Sequence, residues 1–215
     1  MRMLQLRGPH LGRRSHSGYE YLIKHETRVM KKLNRKFFER DAEIVAQNLL
    51  GKYFMYKTKT GIIEGKIVET EAYGGPDDLA SHARFVSSSR NQLMYEQGGT
   101  LYVYLVYGIY YLTNIIAGKK GKPSGVLIRS AEIDSASSNK AATGPGKFSQ
   151  YFKINLSHKG LDIVNSDKIF IEDRGNDISD SDIIKTKRVG VDYAGHSKDW
   201  DLRFYIKDNK FISKR

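Results

Sequence analysis

The stretch Lys52–Gly75, "KYFMYKTKTGIIEGKIVETEAYGG", constrains the fold more than any other part of the chain. Its apolar and aromatic residues recur with a period of two, and Thr60-Gly61 interrupts the run. The pattern predicts an antiparallel hairpin with Tyr53 and Met55 on one side and "IIEGKIVETEAY" as the return strand. Strand character resumes in "LYVYLVYGIYYLTNII", "SGVLIRSAEI", "SDKIFIED" and "LRFYIK", with "GKKGKP" as a turn. The helical period is clearest in "ERDAEIVAQNLLGKYF", where Asp41 caps the start, Ile44, Val45, Leu49 and Leu50 form an apolar face, and Gly51 closes it. A second helix is predicted after "GPG", a short one around Asn91 to Tyr95, and another in "YEYLIKHETRVMKKL". The pattern is α+β with much antiparallel pairing and no internal repeat.

At 215 residues the chain is long enough for one substantial core, so a single domain is expected over residues 33–215. Residues 1–32 read as a basic, flexible N-terminal extension. No run of about eighteen apolar residues predicts a membrane span, and the basic N-terminus lacks an apolar signal core. A bacterial-type cytoplasm, with association with the nucleoid, is the expected location, with nucleus or organelle left open. With no cysteine in the chain, disulfides and thiolate metal sites are excluded, and with them the zinc nucleobase deaminases. The formal net charge is +12, and residues 1–52 carry twelve Lys/Arg against five Asp/Glu. Such an excess suits a polyanionic partner, though a solvated basic surface would produce it too.

Candidate chemistry gathers in "IVETEAYGGPDDLASHA". On a regular strand Glu69 and Glu71 point the same way, with Ile67 and Tyr73, while Val68, Thr70 and Ala72 occupy the other face. An alternating wet face is the plain alternative, but the abrupt "GGPDD" turn lets a carboxylate sit where loops close a pocket. Five of the fourteen tyrosines fall between Tyr102 and Tyr111. Tyr102 and Tyr104 share a face, whereas Tyr107 is out of phase beside Gly108, which permits a sharp turn. Tyr102, Tyr110 and Tyr111 read as packing. Between these regions Arg90 is a candidate phosphate contact and Asn91 a cap or backbone partner. "ATGPGKF" has neither the spacing of a Walker loop nor of a dinucleotide fingerprint, but its glycines can shape a close approach to phosphate, with Lys147 adding charge. His82 alone would ordinarily be structural.

Together these segments resemble the alkyladenine, or 3-methyladenine, DNA glycosylase family. The likeness runs from "FFERDAEIVAQNLLGK" through "IVETEAYGGPDDLASHA", "RNQLMYEQGGTLYVYLVYGIYYLTN", "GVLIRSAEI", "ATGPGKF" and "GLDI" to "RVGVDYAGHSKDWDLRFYI", roughly residues 37–212. It implies a single compact domain, the catalytic one, with a curved, barrel-like antiparallel sheet and surrounding helices. It implies that Glu71 activates water, that Arg129 lies beside that water, and that a backbone carbonyl near "RVGV" joins them. Tyr73 and His82 match one side of a base pocket, Tyr104 the opposing wall and Asn114 a purine filter. Tyr107 matches the residue that enters the DNA stack when a nucleotide rotates out. The implied partner is double-stranded DNA with damaged purines, bound by a monomer.

The chemistry fits those residue types. Cleaving an N-glycosidic bond lengthens C1′–N as the sugar gains oxocarbenium character, and a carboxylate can both activate water and stabilise that charge. Aromatic faces select an electron-poor alkylated ring. Neither a metal nor an organic cofactor is required. "YAGHSKDWDLRFY" departs from the family pattern at His196 and Trp200, and neither is assigned to catalysis. Two other readings stand beside this one. A noncatalytic DNA-binding protein explains the charge and the tyrosines but leaves Glu71 and Arg129 without a purpose. A carbohydrate glycosidase would use Glu69 and Glu71 as paired carboxyl groups, which same-side strand neighbours are not automatically spaced to do.

Overall fold

A computed structural model describes residues 31–84, 91–133 and 139–214. Most of the helix expected in "YEYLIKHETRVMKKL", nearly all of the N-terminal extension, and Arg90 lie outside the described residues, and the described end of that stretch, residues 31–33, is not helical. The last two residues assigned to the extension form a short strand, β1 (Lys31–Lys32), and α1 (Arg35–Phe38) follows at once. The predicted first long helix is α2 (Ala42–Leu49), capped by the Asp41 carboxylate, which accepts from the Glu43 N–H at 2.8 Å. Its buried residues are Ala42, Val45, Ala46 and Leu49. Ile44, expected on that face, is 47% exposed, because the buried stripe is centred on the two alanines that let α2 approach the sheet. Gly51 ends the turn at φ 82°, where a Cβ would stand 2.4 Å from the Asn176 carbonyl oxygen, so no side chain fits.

The predicted hairpin is β2 (Tyr53–Thr58) with β3 (Gly61–Gly74). The tyrosine-rich run is a second hairpin, β4 (Leu101–Val106) and β5 (Tyr110–Ile116), and β6 (Ser124–Glu132) lies beside β5. Helix α3 (Pro145–Tyr151) starts at the GPG turn with proline at its first position, where a missing N–H costs nothing. The remaining strands are β7 (Ile169–Asp173), β8 (Ile183–Thr186) and β9 (Arg203–Ile206). The pairing of β8 was not foreseen.

Every ladder is antiparallel, in the order β1-β7-β2-β3-β6-β5-β4, with β9 joining β3 to β8. The path is open, so the sheet is not a closed barrel. Phe38, Val45 and Leu49 from the helices meet Phe54, Ile67, Ile115, Ile128 and Phe204 from the strands in the main core. Phe54 makes edge contacts with Phe148 and Phe152 at 5.1 and 4.9 Å between ring centroids. Thr70 fixes α2 to the sheet by donating its hydroxyl to the Ala46 carbonyl at 2.9 Å.

One irregularity governs the rest. Along β3 and β6 the register slips twice, leaving Val68 between the pairs Ile67↔Ala131 and Glu69↔Ser130, and Arg129 between Glu69↔Ser130 and Thr70↔Ile128. The slip changes phase, as bulges do. Ile67 therefore joins Ala72 in the main core instead of sharing the Glu69 face, and Val68 packs with Phe211 and Ile212.

Candidate active site

Glu69 and Glu71 lie where β3 has a neighbour on each edge. Glu69 faces Ser130 on one side and Tyr205 on the other, and Glu71 faces Leu127 and Arg203. Both carboxylates are fully buried, and a buried carboxylate stays charged only when donors surround it. Arg129 reaches both, Nε donating to Glu69 Oε1 at 2.9 Å and Nη1 to Glu71 Oε1 at 3.0 Å.

Their surroundings otherwise differ. Glu69 also accepts from Arg203 Nη1 (2.8 Å), the Ser130 hydroxyl (2.9 Å), the Ser213 N–H (2.7 Å) and the Ser213 hydroxyl (2.9 Å). Burial works to raise its pKa, but the Arg129 charge and the bonds from Ser213 and Arg203 outweigh it and hold the carboxyl below its ordinary range. All its acceptor capacity goes inward. Glu71 accepts the Val189 N–H at 2.8 Å on Oε1 and the Tyr73 hydroxyl at 2.7 Å on Oε2. Near "RVGV" the group that bonds Glu71 is the Val189 N–H. Oε2 keeps a lone pair for one further donor.

The three groups that hold Glu71, namely Tyr73, Arg129 and Val189, line a cavity of about 740 Å³. His82, Tyr104, Tyr107, Asn114 and Lys147 line it too. The structure therefore brings every described candidate residue to one place. Asn114 sits opposite Tyr102 across the second hairpin and donates to its carbonyl at 3.2 Å. Asn91 bonds the His82 carbonyl through Nδ2 at 3.1 Å, the backbone role expected of it.

His82 packs against the tyrosines of the second hairpin. Its ring centroid is 4.6 Å from that of Tyr104, and its Nδ1 is 2.9 Å from the Tyr102 hydroxyl. Two stacking contacts need about 7 Å, so no ring enters between His82 and Tyr104. His82 and Tyr104 thus line the cavity side by side. The Tyr102 and Tyr104 rings lie 5.4 Å apart, as their shared strand face requires.

The Tyr73 wall is backed by a pair that drew no notice in the sequence. Arg188 and Asp78 form a two-pronged ion pair at 2.6 and 2.7 Å, with both side chains fully buried. The Arg188 guanidinium lies 4.6 Å from the Tyr73 ring centroid and also donates to the Ala72 and Ser197 carbonyls. Burial and the Glu71 charge push the Tyr73 phenol well up, so it remains a donor to that carboxylate. Tyr104 is likewise raised, chiefly by burial. Asp78 lay within the quoted "GGPDD" turn, but the sequence holds no signal linking it to a residue 110 positions on.

At the tip of the second hairpin Tyr107 and Gly108 both have positive φ, 53° and 68°, and Ile109 donates to the Val106 carbonyl at 3.1 Å. These are the signs of a turn of the primed kind. A bulky aromatic residue rarely takes that conformation, yet Tyr107 does so with 89% of its surface exposed. Tyr110 is half exposed and leans on Gly146, where a Cβ would meet its ring at 2.8 Å, so its packing is partial. Lys147 follows on the exposed start of α3, at the cavity rim. His196 and Trp200 pair with each other at 5.6 Å between ring centroids and do not line the cavity. Among the described residues no group of three acidic or histidine side chains is placed to hold a metal, and no helix is long and apolar enough to cross a membrane.

Fold and site together set an aromatic-lined cavity beside the donors of a buried carboxylate, with the exposed Tyr107 ring at its mouth. The model of the methylpurine-DNA glycosylase family matches residues 36–210. The chain belongs to that family and is by class a DNA glycosylase for methylated purines. It is 40% identical over 206 residues to a protein of Clostridium novyi strain NT, covering 86% of this chain and all of that one. It is 40% identical over 190 residues to one of Bdellovibrio bacteriovorus, covering 85% and 99%. A Legionella pneumophila protein is 41% identical over 185 residues, covering 86% and 100%. All three bear names that assign them to 3-methyladenine DNA glycosylase. The family resemblance carried by the motifs is thereby borne out.

Proposed function

We propose that the protein removes 3-methyladenine and other damaged purines from duplex DNA as a monofunctional glycosylase, acting as a monomer and leaving an abasic site. The observation that carries the reading is the position of Glu71. Its donors Tyr73, Arg129 and Val189 all line the cavity, and it has acceptor capacity left over.

A base inside a duplex is out of reach of this cavity, so the nucleotide must rotate out, at a cost of a few kcal/mol. Tyr107 offsets part of that cost by entering the gap, as wedges do in the minor groove. The extruded ring lies between Tyr73 on one side and Tyr104 with His82 on the other, and Asn114 tests its edge. A water held on Glu71 gives its proton to the carboxylate while its oxygen bonds to C1′. The C1′–N bond breaks with its electron pair going to the base, and an alkylated, cationic base leaves neutral. Arg129 and the Val189 N–H keep the carboxylate aimed at that water. No lysine is assigned as a Schiff-base nucleophile, so strand cleavage is not part of the reaction.

The glycosidase alternative has less support. Glu69, its second carboxyl group, is enclosed by five donors from four residues, of which Arg129 alone lines the cavity. The test is incubation of duplexes carrying 3-methyladenine, 7-methylguanine, hypoxanthine or ethenoadenine, followed by counting abasic sites before and after alkali. Abasic sites that become breaks only after alkali are expected. Breaks without alkali, or no released base on any duplex, overturn the reading.

A further inference from the structure

The cavity mouth has a second exposed aromatic residue, on a different element from the hairpin. Tyr193 is 64% exposed and lines the same cavity as Tyr107 and Tyr110. It ends the segment that begins with Val189, the donor to Glu71. On either side of Tyr193, Val191 and Ala194 are buried and pack with Ala80, Leu79 and Tyr73. The backbone around Tyr193 is thus anchored on the Tyr73 wall while its ring stays in solvent. The ring is also held from the side. The Arg84 guanidinium stands 5.8 Å from its centroid, and Arg84 Nη1 is itself tied to the Leu79 carbonyl at 2.7 Å. Its phenol is near enough to that of Tyr104 to add to the disfavour of ionisation there, so the two rings look onto the same space.

Large apolar side chains left in water mark contact surfaces when they cluster. Among the described residues seven large hydrophobics are exposed: Ile44, Ile62, Tyr107, Ile109, Tyr110, Leu156 and Tyr193. Three of those seven line this one cavity. Tyr107 has a task at the vacated site in the stack. Tyr193 sits on the Tyr73 side and cannot share that task.

We propose that Tyr193 is a specificity-determining residue that closes over the extruded nucleotide, laying its ring on the outer edge of the base and the face of the deoxyribose. This rests on the glycosylase reading above. A ring in that place retains a nucleotide once it has left the duplex and touches nothing in an undamaged duplex, so it sharpens the difference between damaged and intact DNA. Stacking on one aromatic side chain is worth about tenfold in affinity.

The test is single-turnover base release from the lesion duplex that the unaltered protein cleaves fastest, at rising protein concentration, with undamaged duplex as competitor. For Tyr193→Ala the half-saturating concentration rises about tenfold, the plateau rate falls much less, and the inhibition constant of the undamaged duplex stays put. Tyr193→Phe keeps the ring and behaves like the unaltered protein. An unchanged half-saturating concentration in Tyr193→Ala overturns the proposal. So does equal weakening toward lesion and undamaged duplexes, which would make Tyr193 a general DNA contact. If the unaltered protein releases no base, the glycosylase reading itself falls, and binding of the lesion duplex by the two variants still decides the role of Tyr193.

Discussion

The Tyr73 hydroxyl donates to Glu71 Oε2 at 2.7 Å, so a wall of the cavity and its buried carboxylate are one hydrogen-bonded unit. The Tyr73 ring and the Glu71 carboxylate cannot move independently. Arg188 behind the ring and Val189 on the carboxylate tie the same unit to one stretch of chain.

Tyr73→Phe removes that bond and keeps the ring. A hydrogen bond to a charged group contributes about 1.5–3 kcal/mol, so base release under single-turnover conditions is expected to fall at least about tenfold. Lesion binding is expected to hold within a few-fold. Loss of binding without loss of rate would show the ring, and not the bond, to be what matters.

Glu71→Gln keeps the shape of the side chain and removes its basicity. General-base contributions run to about 10²–10⁴-fold, so abasic-site formation is expected to become nearly undetectable while lesion duplex is still bound in a gel-shift assay. Robust base release by this variant would remove Glu71 from the mechanism.

Glu69→Gln is expected to act on stability. It leaves Arg129 and Arg203 without their shared partner, and breaking a buried ion pair costs about 3–5 kcal/mol. The pH dependence has a definite sign. The folded carboxyl titrates below its ordinary value of 4.5, so its stabilisation is complete above that value and is lost as pH falls through the folded one. Denaturant midpoints measured downward from neutral pH should drop below about pH 4.5 more steeply for the unaltered protein than for Glu69→Gln.

Tyr107→Gly separates strain from function. A left-handed conformation costs an L side chain about 1–2 kcal/mol, and an exposed ring loses little packing when removed. Unfolding free energy is expected to hold or to rise by about 1 kcal/mol once glycine's own chain entropy is counted. Lesion capture and single-turnover excision should both weaken. A destabilised variant with full activity would make Tyr107 a structural turn residue.

Much of this was readable along the chain. The period-two runs located β2, β3, β6, β7 and β9, Asp41 marked the start of α2, and Gly108 beside an out-of-phase Tyr107 marked the tip of the second hairpin. The reading failed where contacts cross long separations. Periodicity put Ile67 on the carboxylate face because a slip in register is invisible without the partner strand. The contact of His82 with Tyr104, 22 positions on, leaves no periodic signal in the sequence. Tyr110 is expected as packing, yet half of it is exposed although its ring lies against Gly146.

The sequence by itself determined the repertoire: strands, caps, turns, the absence of thiol chemistry, and motifs specific enough to identify a family. Those features depend on residues close together in the chain. Only the tertiary structure decided which carboxylate is enclosed by inward donors and which is held by residues that line the cavity. Glu69 and Glu71 are two residues apart on one strand and chemically identical. They differ because β6, β9 and the segments at Val189 and Ser213 bring different donors to each, from positions 58 to 144 residues away.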